Sequence, residues 1–126
     1  MITAIVIASV LCLVSGISKA IMDTLQFHFE KSVFADKSTW WNPQKSWQNK
    51  YTWAGNSKIL GWLLQNPLVA VTDAWHLFQA IFSITFASSF VLCGAYMPLW
   101  SAVPAYITHR VIFHIFFTWL LVKKQK

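Results

Sequence analysis

ITAIVIASVLCLVSGISKAIM, the stretch from Ile2 to Met22, carries a single charge, Lys19, in 21 residues. A helix rising about 1.5 Å per residue covers the roughly 30 Å hydrocarbon core of a bilayer with that length. A signal peptide is the rival reading. No positive residue precedes the run, however, and it exceeds the ~7–15 apolar residues of a signal-peptide core, so it reads as a retained helix. Two further stretches behave alike. In residues 67–93, Asn66 and Pro67 supply an N-cap and a first-turn proline, and Gly94 and Pro98 end the run. Residues 100–122 have Pro104 near their start, where proline is tolerated. The sequence therefore predicts an all-α, polytopic membrane bundle of three transmembrane helices, forming one integral-membrane domain over 1–126.

Composition agrees. Hydrophobic residues make up 56% of the chain and charged residues 11%, well below the roughly one quarter of a soluble domain. The formal charge of +6 is concentrated: Lys31, Lys37, Lys45, Lys50 and Lys58 lie between the first two spans, and three more lysines close the chain. Basic segments beside apolar spans follow the positive-inside bias, which places the N-terminus outside and the C-terminus inside a bacterial-type inner membrane. The basic loop is accounted for by anionic lipid headgroups, so nucleic acid is not expected as a partner. Cys12 and Cys93 have neither metal-site nor disulfide-framework spacing and read as buried thiols.

Between the first two spans, residues 31–60 are rich in tryptophan: Trp40, Trp41, Trp47 and Trp53, with Trp62 just beyond. Amphipathic rings interleaved with lysine favour the headgroup level, so this loop is expected to lie on the cytoplasmic membrane surface. Residues 59–71 are a candidate re-entrant segment.

Ionisable groups inside the spans are costly and mark a bundle interior. Helical spacing puts Cys12, Gly16, Lys19, Asp23, Gln26 and Glu30 on one stripe if the first helix continues inward. Asp73 and His76 share a face with Ala80, Ser83 and Ala87, while Arg110 and His114 share one with Tyr106 and Phe117. His109, five residues before His114, points about 140° away. Counted along each helix, Asp73 and His76 lie about 10 and 15 Å deep, and His114 and Arg110 about 12 and 18 Å. The expected polar cluster is therefore Asp23, Glu30, Asp73, His76, Arg110 and His114, with Asp73 and Arg110 as an intramembrane ion pair. A divalent metal is the candidate cofactor, on Asp73, His76, His114 and Glu30, which offer nitrogen and oxygen ligands.

No family motif fits. The histidine spacings do not match the repeated histidine boxes of membrane hydroxylases, and the GxSG motif of intramembrane serine proteases does not occur. Two functions are consistent with the residues. One is a non-enzymatic bundle that forms a homo-oligomer or serves as an accessory subunit of a larger membrane complex. The other is a metal-dependent membrane enzyme acting on a lipid or amphiphile at the cytoplasmic interface.

Overall fold

The computed structural model describes residues 2–123 of the chain, and within them regular structure is helical. The basic run from Lys124 to Lys126 lies outside the described residues. Helix α1 (Ile2–Phe27) is longer than the apolar run that predicts it, because Met22 to Phe27 contain no glycine or proline to stop it. Four short helical pieces follow: a 3₁₀ turn at Thr39–Trp41, α2 (Pro43–Ser46), α3 (Asn49–Thr52) and α4 (Lys58–Gln65). They form a foot at one end of the molecule. Helices α5 (Ala74–Tyr96) and α6 (Ala102–Ile115) complete the bundle, and α6 runs directly into a π-helical turn, Phe116–Leu121.

The start of α5 differs from expectation. Asn66 does not cap it; Asn66 ends α4, and α5 begins seven residues beyond Pro67, at Ala74. Asp73 is the cap. It adopts an extended backbone, and its side chain accepts a hydrogen bond from the His76 backbone N–H, satisfying one donor that a helix start leaves free. Ser57 caps α4 in the same way, accepting from Leu60 N–H at 3.2 Å. The segment 59–71 thus contains a short amphipathic helix and a 3₁₀ turn, Val69–Val71.

The three long helices alternate in direction. The beginning of α1 and the end of α5 line one cleft through Ile5, Ala8, Cys12, Cys93 and Met97. At the opposite end the chain after α1 meets the chain after α6: Val33 N–H donates to the Leu121 carbonyl (3.0 Å), and Lys123 N–H donates to that of Lys31 (2.7 Å). These bonds close a lone antiparallel bridge between Ser32 and Val122.

α1 is the central element and packs against both α5 and α6. Up to Ala20 its inward positions are small: Ala8, Cys12, Ser15, Gly16, Ser18 and Ala20 are all buried. Small residues let helix backbones approach where lipid removes the hydrophobic incentive to associate. At Gly16 the approach is tightest, since a Cβ there would lie 2.8 Å from the His109 carbonyl oxygen and 3.1 Å from Ile112 Cβ. The apolar core lies at the foot end, where Ala20, Ile21, Leu25, Phe34, Ala74 and Leu121 gather, with Trp40, Trp41 and Phe78 against them. α1 and α5 are each long and apolar enough to cross a membrane.

Candidate functional site

Two polar centres are built into this bundle. The first is the N-terminus of α5. Asp73 is buried; its Oδ1 accepts the His76 backbone N–H at 2.9 Å and its Oδ2 lies 2.6 Å from His76 Nδ1. Nδ1 is thereby aimed at the carboxylate, and Nε2 is the ring nitrogen left without a protein partner among the described residues. The Thr72 hydroxyl donates to the Val69 carbonyl at 2.8 Å and lies 3.3 Å from Oδ2. The foot holds the preceding turn in place: Asn49 Nδ2 donates to the Thr72 carbonyl (2.7 Å), and Trp40 Nε1 to that of Val71 (3.1 Å). Trp41 stacks on Phe34 with ring centroids 4.7 Å apart and leans on Phe78 of α5. Trp75 meets the His76 ring edge to face at 5.1 Å. The imidazole is thus oriented by a carboxylate, flanked by an indole and partly exposed. That arrangement can bind a polar group through Nε2.

The second centre is buried midway along α1. Ser15 Oγ lies 2.9 Å from His109 Nδ1 and 3.0 Å from the Cys12 carbonyl. Both residues are shielded from solvent, and the imidazole is walled by Phe82 and Phe86 of α5 with centroids 5.8 and 5.0 Å away. One turn further along α1, Lys19 pairs with Asp23.

The expected six-residue cluster divides among four places. Asp73 and His76 pair with each other. Asp23 belongs to Lys19. Glu30 is exposed in a 3₁₀ turn beyond α1, because that helix ends at Phe27; it lines a small cleft with Gln26, His28 and Lys31. Arg110 and His114 face outward. The anticipated Asp73–Arg110 ion pair is therefore corrected: among the described residues the two do not pair, and Asp73 is engaged by His76 instead. The cause is rotational as well as axial. α6 turns His109, Ile112 and Phe113 toward α1 and α5, which leaves Arg110 on the far side. The late start of α5 also keeps Asp73 at the helix end rather than about two turns inside it. The proposed metal set of Asp73, His76, His114 and Glu30 is not assembled either. Among the described residues no three His, Cys, Asp or Glu side chains gather closely enough to hold a metal ion.

Sequence reasoning set His109 aside and did not single out Ser15. A signal was present: Ser15 neighbours the Cys12–Gly16 stripe, and a histidine brings two ring nitrogens into a dry interior, whereas an arginine brings five donors and a fixed charge. No known protein family, curated protein or solved structure matches the chain.

Proposed function

We propose that the chain is a small integral membrane protein with three spans, α1, α5 and α6 with its π turn, in a bacterial-type inner membrane. It serves as a non-enzymatic subunit of an oligomer or a larger membrane assembly, and its Trp-rich foot rests on the anionic cytoplasmic surface. The observation that carries this reading is the uncovered apolar surface of the two outer helices. Ile84 and Val91 on α5, and Val103, Ile107, Val111 and Ile115 on α6, are all at least 41% exposed. Exposed apolar side chains gathered on two helices of a monomer mark contact with lipid or protein.

The foot supports the orientation. No acidic residue occurs from Lys37 to Thr72, while Lys45, Lys50 and Lys58 lie among the exposed rings of Trp47, Tyr51, Trp53 and Trp62. Aromatic rings and lysines on one surface suit the headgroup layer. The reading is tested by carbonate extraction of membranes from expressing cells. A chain with three spans stays in the pellet, and release into the supernatant would refute integral insertion.

One observation favours a second reading, that of an enzyme acting at the cytoplasmic interface. The Asp73–His76 pair resembles a carboxylate-oriented general base, and it lies beside the foot. Turnover of an amphiphile that is lost in His76→Ala and kept in His114→Ala would place this reading first.

A further inference from the structure

Arg110 is the conspicuous unresolved charge of this molecule. It lies on the outward face of α6 and makes no hydrogen bond or ion pair among the described residues; its one contact of note is the Phe113 ring, 5.3 Å from the guanidinium carbon. With α6 as a span, Arg110 sits about 12 Å from Ala102 and about 16 Å from Leu121, near the bilayer midplane. A guanidinium facing hydrocarbon is costly, and such groups ordinarily pair within a bundle or line a polar path. His114 stands one turn further along the same exposed face, loosely bonded to Thr118 at 3.4 Å, and Tyr106 one turn back. The outward face of α6 is therefore apolar at its margins and polar along its centre, with Arg110 as its charge.

We propose that this face docks a transmembrane helix of a different protein, one carrying a carboxylate at mid-membrane depth that pairs with Arg110. Charge complementarity selects that occupant. A second copy of this chain has no suitable acid: Asp23 is engaged by Lys19, Asp73 by His76 and Asp36 by Lys123. Glu30 is exposed, but it neighbours Lys31, whose carbonyl meets Lys123 past the end of the π turn. Copies inserted in the same direction keep Glu30 at that level, far from Arg110. A bidentate carboxylate matches the planar fork of the guanidinium, and His114 offers a second donor or acceptor one turn away. The proposal rests on α6 being a span.

The test uses the full-length protein in phosphatidylcholine vesicles, with energy transfer to Leu-rich transmembrane peptides that carry a central Asp or no polar residue. The Asp peptide is expected to associate roughly tenfold more tightly than the all-Leu peptide. That preference should vanish in Arg110→Leu. It should reappear between Arg110→Asp and a peptide with a central Arg. Far-UV circular dichroism of each variant establishes that the bundle is intact, and His109→Phe serves as a second variant that leaves the docking face untouched and should keep the preference. Equal binding of the two peptides to the wild type, the result if lipid phosphate satisfies Arg110, overturns the proposal. So does energy transfer between wild-type copies that Arg110→Leu abolishes, which would make a second copy the occupant. Labelling of Ala102→Cys and Lys123→Cys separates the two levels. Same-side labelling fails the span itself, while opposite-side labelling with equal peptide binding fails the docking proposal alone.

Discussion

Gly16→Ala provides a quantitative test of how α1 meets α6. The added Cβ would lie 2.8 Å from a backbone oxygen, that of His109, and 3.1 Å from two Ile112 carbons. A backbone atom cannot rotate away, so α6 must retreat by several tenths of an ångström. Overpacking of this kind costs about 1–3 kcal/mol, set against a helix-propensity gain from glycine to alanine of about 0.5–1 kcal/mol. Retreat of His109 also stretches its 2.9 Å contact with Ser15, and a buried hydrogen bond contributes roughly 1 kcal/mol. The net expectation is destabilisation by about 1–3 kcal/mol. Gly94→Ala is the internal control: it too lies in a helix, and a Cβ there meets nothing within 4 Å. That substitution should be neutral or should stabilise by up to about 1 kcal/mol. Both are read from reversible unfolding in mixed micelles, followed by far-UV circular dichroism. Equal stability of the two variants would refute the crossing at Gly16.

Other expectations follow from the same contacts. Ser15→Ala leaves His109 Nδ1 buried without its partner and should destabilise by about 1–3 kcal/mol, much of it recovered by adding His109→Phe in the same micelle assay. Asp73→Ala removes the α5 cap and should cost about 0.5–2 kcal/mol, whereas Asp73→Asn, which can still cap, should cost less. Asp73→Ala and Arg110→Ala should be additive within about 0.5 kcal/mol in a double-mutant cycle, and a larger coupling would restore the ion pair that the fold separates. Fluorescence of Trp47, Trp53 and Trp62 should be quenched by brominated headgroup-level lipid, more strongly with anionic lipid. Changing Lys45, Lys50 and Lys58 to Gln should weaken the binding by about 1 kcal/mol per lysine.

Element type was legible in the sequence because long apolar runs with few charges leave helix as the sole economical way to satisfy their backbone. Facing was less legible. α1 announced its inward side through Cys12 and Gly16, and the structure buries both. α6 did not, since apolar residues surround it on every side and only polar positions distinguish one face. Placing the charges inward selected Arg110 and His114; the fold instead buries His109, whose Nδ1 meets the Ser15 hydroxyl. At α5 the Asn66-Pro67 pair carried a valid capping signal, but Asp73 was the stronger cap and lay seven residues on. That shift moved Asp73 and His76 from the middle of a span to its end. The foot was expected on the membrane surface and folded back under the bundle; the particular side chains that hold the Val71–Thr72 turn and pack on Phe78 could not be named in advance. Long-range contacts of that sort leave no periodic trace.

The central claim is that α1, α5 and α6 cross the membrane in alternating directions, with the foot inside. Site-specific labelling tests it most directly. In a background with Cys12→Ala and Cys93→Ala, single cysteines at positions 45, 95 and 123 are treated with a membrane-impermeant maleimide before and after permeabilisation of intact cells. Ala95→Cys is expected to react from outside. Lys45→Cys and Lys123→Cys are expected to react only after permeabilisation. Labelling of positions 45 and 123 from opposite sides, or of 95 from the same side as 45, would contradict the three-span account.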